Sequence, residues 1–147
     1  IKFNIEVKYE PSYKGVYAPK PKQFVALVLD VIEENNSLEH TNLQSFDLSV
    51  LEEIKRQSPK MKVALLVDEN EDIWNKITKM SYIPEIISPY YKLLDEKTVR
   101  NLKAKGYQVI PWTVNTNADL KQMIALQVDG IITDYPDRLI EILKINQ

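Results

Sequence analysis

The chain contains no cysteine, one histidine and three glycines. The missing cysteines exclude disulfides and thiolate metal sites. Any bound metal must therefore be held by carboxylates or by His40, donors that suit a hard cation such as Mg²⁺ or Ca²⁺. There is no Gly-x-Gly-x-x-Gly after the first strand and no Walker A sequence, which argues against dinucleotide and P-loop folds. No basic excess is present: the net charge is −2, unlike a nucleic-acid binder with its basic face. No apolar run approaches the length of a membrane span. The 147 residues suffice for a single domain, 1–147, with its own core. The chain opens on Ile1 inside an alternating run, as a truncated, processed or partial chain would, so the lack of a signal segment excludes no compartment.

What is present is an alternation of strands and helices. Ile1, Phe3, Ile5 and Val7 alternate with Lys2, Asn4, Glu6 and Lys8, the two-residue period of a strand. A loop over residues 9–22 follows. Phe24, Leu27, Val28, Val31 and Ile32 then fall on one face of a helix. Residues 42–46 predict a strand and residues 48–57 a helix with Val50, Leu51 and Ile54 inward. The run KVALLV at 62–67 reads as a strand buried on both faces. A short helix is expected over 72–78, then a strand over 85–88. Asp95 suits the N-cap of the next helix and Gly106 its C-terminal stop. A strand over 109–114 and a helix from Asn117, as cap, through Ala125 with Leu120, Met123 and Ile124 inward come next. The last unit is a strand over 130–133 and a helix using Leu139, Ile140 and Leu143.

Six β-then-α units joined by short connections imply an α/β fold with a parallel sheet. Polar residues gather at the C-terminal strand ends: Glu6, Lys8, Ser45, Asp47, Ser88, Asn115 and Asp134. That placement suits a TIM (β/α)8 barrel, whose chemistry lies at that face. A flavodoxin-like sheet is the alternative.

The ordered set FNIEVK at 3–8, QSFD at 44–47, KVALL at 62–66, ISPYY at 87–91, VIPWTVN at 109–115 and DGIITDYP at 129–136 resembles the last six strands of the glycerophosphodiester phosphodiesterase family. The resemblance implies a barrel of the phospholipase C-like phosphodiesterase type, here with six of its eight strands. It implies hydrolysis of glycerophosphodiesters to an alcohol and glycerol 3-phosphate, with a divalent metal, Mg²⁺ or Ca²⁺. A neighbouring glycerol hydroxyl attacking first, through a cyclic phosphate, also belongs to that resemblance. The family's His-Arg-Gly, Glu-x-Asp and His-Asp motifs belong before the third strand, and none occurs in this chain. Taken alone the chain is therefore expected to be catalytically silent. Its first and last strands are expected to present open edges, to be filled by a preceding segment, by another chain or by a second copy. A non-catalytic barrel remnant that binds a phosphate ligand or a partner chain, and a related phospholipase-type phosphodiesterase, are the competing functions.

Glu6 and Lys8 stand two apart and so share one side of a strand. Spacing alone describes an ordinary exposed Glu/Lys pair. The resemblance makes Glu6 a metal ligand and Lys8 a phosphate contact. It makes Phe46 and Trp112 apolar walls around the glycerol or the leaving alcohol, where aromatic residues otherwise serve as rim or core packing. Asn115 is either a loop anchor or a turn residue, and Asp134 either orders the mouth or ends the strand before Pro136. His40 precedes a strand, which puts it at the face opposite the active site. The 9–22 loop, with Tyr9, Tyr13, Tyr17, Lys14, Lys20 and Lys22, is either a lid or a surface excursion.

Overall fold

The structure, a computed structural model, describes residues 1–10, 12, 17 and 19–145. Strand and helix alternate along it: β1 (Phe3–Glu6), α1 (Pro21–Glu34), β2 (Thr41–Ser45), α2 (Leu48–Gln57), β3 (Lys62–Val67), α3 (Ile73–Thr78), β4 (Ile86–Pro89), α4 (Glu96–Ala104), β5 (Gln108–Val109), α5 (Asn117–Ala125) and α6 (Pro136–Ile145). Single 3₁₀ turns at Leu38–His40 and Tyr91–Leu93 precede β2 and follow β4. All pairs in the sheet are parallel, in the order β1-β2-β3-β4-β5.

The expected sixth strand needs correcting. Residues 129–132 do run beside 109–114: the Asp129 N–H donates to the Val109 carbonyl (2.9 Å), the Ile132 N–H to Pro111 (2.9 Å) and the Val114 N–H to Ile132 (2.9 Å). No regular ladder forms. Pro111 has no N–H to return a bond, and the donors 129 and 132 advance by three residues while the acceptors 109 and 111 advance by two. The segment lies against the sheet without becoming a formal strand.

Register separates the two faces of the sheet. Ile5, Leu43 and Val63 form one row, and Leu65, Ile87 and Val109 another, on the side that meets the helices. Val50, Leu51 and Ile54 from α2, Val99 and Leu102 from α4, and Leu120 and Met123 from α5 close the core over these rows. The opposite face carries Asn4 beside Asn42, then Glu6, Gln44, Ala64 and Ile86 in register, then Leu66 beside Ser88. An amide ladder ties its polar end together: Asn4 donates to Gln44 (3.1 Å) and Asn42 donates to Asn4.

Two helix faces differ from expectation. In α1 the buried residues are Val25, Leu29 and Ile32, whereas Leu27 and Val31 are 53% and 58% exposed. This helix is apolar on more than one side, so two stripes compete for the sheet, and the one centred on Leu29 packs. In α6 Ile142 is buried and Ile140 and Leu143 are exposed. The cap of α5 is Thr116 rather than Asn117; its hydroxyl accepts the Asp119 N–H. Asp47, Asp72 and Asp95 cap α2, α3 and α4 in the same way. Four helices thus start from a polar residue that caps them, whereas α1 starts at Pro21 with no side-chain cap.

Acid should weaken the fold through Glu53 on α2. Its carboxylate accepts from Arg56 (Nε, 2.9 Å) and from Gln57 (2.5 Å), and the Arg56 hydrogen bond leads in lowering its pKa from 4.5 to about 2. A carboxyl held more acidic in the folded state stabilises it above about pH 4.5, and that contribution fades as pH falls towards 2. Glu53→Gln should therefore lower stability by about 0.5–1 kcal/mol at neutral pH and by less near pH 2.5. Urea unfolding at the two values measures it; equal losses at both would contradict the assignment.

Candidate functional site

The buried Val7, 2% exposed, fixes the orientation of its neighbours. Because side chains alternate along a strand, Glu6 and Lys8 are turned to the other side. Pairing continues past β1: the Val7 N–H donates to the Gln44 carbonyl (2.8 Å), and the Ser45 hydroxyl donates to the Val7 carbonyl (2.8 Å). Lys8 Nζ and Glu6 Oε2 stand 3.9 Å apart, with Lys8 largely exposed and Glu6 mostly covered. Both line a cavity of about 660 Å³ at the C-terminal ends of β1 and β2, together with Tyr9, Tyr17, Phe24, Ser45 and Phe46.

Phe46 borders this cavity directly after β2. Its ring meets Trp112 edge-on, with centroids 5.4 Å apart. Trp112 does not line the cavity; it stands one ring behind Phe46, and its indole N–H donates to the Ser88 carbonyl (2.8 Å). Of the four residues singled out in the sequence, Glu6, Lys8 and Phe46 thus share one space and Trp112 backs its wall.

Lys76 was not anticipated. It is 6% exposed on α3, its ammonium lies 2.5 Å from Glu71 Oε2, and it sits over the Phe46 ring at 5.5 Å from the centroid. The same Glu71 oxygen accepts the Asp68 N–H (2.8 Å), so the loop after β3 and the lysine hold each other. A signal existed: Lys76 falls three residues after the buried Ile73, on the inward side of its helix.

Asn115 anchors the loops. Its amide donates to Asp134 (2.8 Å), its oxygen accepts from the Thr133 hydroxyl (3.2 Å) and the Asp134 N–H (3.0 Å), and Arg138 donates to its carbonyl (3.2 Å). Asp134 is thereby tied to Asn115 in the loop that follows residue 114. His40 is exposed on the turn preceding β2, at the strand end opposite Glu6 and Lys8. Of the expected lid, Tyr9 and Tyr17 reach the cavity, while Tyr13 and Lys14 lie outside the described residues.

The fit to a divalent cation is incomplete. Hard cations take six or more oxygen ligands, several of them carboxylates or carbonyls. Glu6 offers one carboxylate, with Lys8 beside it. Among the described residues no three acidic or histidine side chains stand together as a metal site. No chemical step is therefore assigned to a metal.

Comparison with known proteins bears on the fold and the family. The model of the glycerophosphoryl diester phosphodiesterase family matches residues 1–138. A glycerophosphodiester phosphodiesterase of Caldanaerobacter subterraneus subsp. tengcongensis is 30% identical over 118 residues, 80% of this chain and 48% of that protein. One from Bacillus subtilis is 26% identical over 105 residues, covering 69% of this chain and 36% of its own length. Among solved structures, a glycerophosphodiester phosphodiesterase from Parabacteroides distasonis superposes with a TM-score of 0.77 at 22% identity, covering 98% of this chain and 57% of that one. A phosphodiesterase from Oleispira antarctica, solved with the product sn-glycerol-3-phosphate, gives 0.78 at 17% identity, covering 98% and 56%. These structures establish the barrel fold, and the present sheet is an open arc of it, with β1 paired on one side only among the described residues. The chain spans between about a third and a half of the length of these two curated relatives. With the family model matched across nearly all of its strands and helices, the chain belongs to the glycerophosphoryl diester phosphodiesterase family.

Proposed function

We propose that this chain supplies the substrate-holding half of a phosphodiesterase that adds water across a glycerophosphodiester, releasing an alcohol and glycerol 3-phosphate. The carrying observation is the convergence of Lys8, Glu6 and Phe46 on one cavity at the strand ends. An ammonium there pairs with a phosphate oxygen by a charge-assisted hydrogen bond. Glu6 would offer one of the several oxygens that a divalent cation needs, and Phe46 with Trp112 behind it forms an apolar wall. Supporting this is the relative from Oleispira antarctica, crystallised with sn-glycerol-3-phosphate.

A second reading, binding without catalysis by this chain, also has an observation in its favour. His40 is the sole histidine and lies at the wrong end of β2 to exchange protons with a ligand near Lys8. Titrating sn-glycerol 3-phosphate into the chain, and assaying glycerophosphocholine hydrolysis with Mg²⁺ or Ca²⁺ before and after a segment carrying the family's His-Arg-Gly and Glu-x-Asp motifs is supplied, separates the two. Binding by the chain alone, with hydrolysis once that segment is supplied, supports the first reading; binding with no hydrolysis in either case supports the second. Absence of binding removes both. His40→Ala should leave the dissociation constant within about twofold, because an exposed side chain at the far end of the strand does not line the cavity. A tenfold loss without unfolding would overturn the assignment of its face.

A further inference from the structure

A closed barrel has no strand edge, but the present arc has one at β1. The groups on that edge can be named. The Val7 N–H donates to the Gln44 carbonyl, and successive strand residues send their N–H and C=O to alternate sides. Phe3, Ile5 and Val7 therefore bond towards β2. The N–H and C=O of Asn4 and Glu6 point outward, with no strand beside them among the described residues. Side chains alternate as well. Phe3 and Ile5 stand on the helix side and are exposed, although Leu43 and Val63 in the same row as Ile5 are fully buried. Lys2, Asn4 and Glu6 stand on the other side.

This edge is complementary to itself. Turned about a two-fold axis at Asn4, a second β1 runs antiparallel to the first. Asn4 then faces Asn4, Lys2 faces Glu6, and Phe3 faces Ile5. The outward backbone groups of Asn4, Lys2 and Glu6 fall on the hydrogen-bonded sites of the new ladder. Phe3 and Ile5 fall on the other sites, where facing side chains approach most closely. By symmetry the apolar pair and the oppositely charged pair each occur twice. Lys2 is exposed and forms no ion pair among the described residues. Glu6 meets its own Lys8 only at 3.9 Å. Helix α1 extends the surface. Its Lys22 carbonyl accepts from Gln57 (2.9 Å), which marks the side turned to α2. Leu27 and Val31 lie round the helix from Lys22, on the flank of β1, and are exposed.

We infer, independently of the function proposed above, that two copies of this chain associate through β1, strand against antiparallel strand, with the Leu27 and Val31 stripes of α1 flanking the join. A segment completing the barrel would use the same edge, so it and the second copy exclude each other. Sedimentation equilibrium of the full chain should show a reversible dimer and nothing larger, because a two-fold contact closes on itself. Lys2→Glu sets carboxylate against carboxylate, and Glu6→Lys sets ammonium against ammonium; each should weaken the dimer about tenfold or more. Mixed in equal amounts, the two variants should associate within about threefold of the unaltered chain, because every facing pair is again of opposite sign. If Glu6→Lys does not fold, Asn4→Pro takes its place; it removes an outward N–H, spares the bonds to β2, and should abolish the dimer. The paired variant Ile140→Ser/Leu143→Ser, on the exposed side of α6, should leave the dimer unchanged. A chain still monomeric at about 1 mM, species larger than a dimer, a dimer indifferent to Lys2→Glu, a mixture that fails to associate, or a loss confined to the α6 variant overturns the inference.

Discussion

Lys8→Met should weaken sn-glycerol 3-phosphate binding by about tenfold, the loss of one charge-assisted hydrogen bond to an exposed anion. Methionine keeps most of the length and apolar stem of lysine, so the change removes charge rather than bulk. The side chain is 82% exposed, which places the effect towards the lower end for such bonds, since solvent and salt screen it. Wild-type affinity should accordingly fall as salt is raised, and the variant's affinity should fall less steeply. Lys60→Met serves as control, since that exposed lysine lies in the turn leading into β3, at the other end of the strands. Glu6→Gln should act in the opposite sense when no divalent cation is added, because a carboxylate beside a phosphate repels it. With Mg²⁺ or Ca²⁺ present, the same variant should lose whatever increment the cation brings, an amide being the poorer ligand for a hard ion. Loss of affinity in Glu6→Gln under both conditions would remove Glu6 from the role assigned to it.

The second large effect is on stability. Leu65 is fully buried at the centre of β3, flanked in register by Ser45 and Ile87, and belongs to the core under the helices. Leu65→Ala should lower the unfolding free energy by about 2–5 kcal/mol, through lost burial and the cavity left in a sheet held on both sides. Domains of this kind hold only about 5–15 kcal/mol in total, so the variant should be visibly less stable in urea. Leu27→Ala, on the exposed side of α1, should change it by no more than about 0.5 kcal/mol. A reversal of that order would mean that α1 docks through Leu27 and Val31 after all.

That pair of leucines also shows how far residue patterns reach. KVALLV was legible because five apolar residues in a row after Lys62, too short a run for a buried helix, suit a strand covered on both sides, and β3 has the expected bounds. Asp95 and Gly106 were legible as helix signals because their chemistry is local: a carboxylate accepting the Thr98 N–H, and a glycine at φ +88. Helix α1 itself was legible, and Phe24, Val28 and Ile32 pack as expected, but its full inward face was not, since nothing local chooses between two apolar stripes; packing against the sheet does. The last strand failed through Pro111, a residue on its neighbour rather than on itself. Within the site, Glu6 and Lys8 could be paired by alternation alone. Lys76 could not be linked to Phe46 that way, because thirty residues of chain separate them and only the β2–β3 pairing brings their loops together.

The most direct test of the central claim maps where the ligand sits. Backbone amide shifts of the labelled chain, followed during titration with sn-glycerol 3-phosphate, should move together at Glu6, Val7, Lys8 and Phe46, with the Trp112 indole signal following through its contact with Phe46. A rival hollow of about 790 Å³ lies among Glu52, Arg56, Ser81 and Tyr82, but Arg56 there is held by Glu53, and Glu52 binds Ser81. Saturable shifts confined to the strand-end cavity are the predicted result. Shifts centred on Arg56 and Tyr82, with residues 6–8 and Phe46 unmoved, would contradict it.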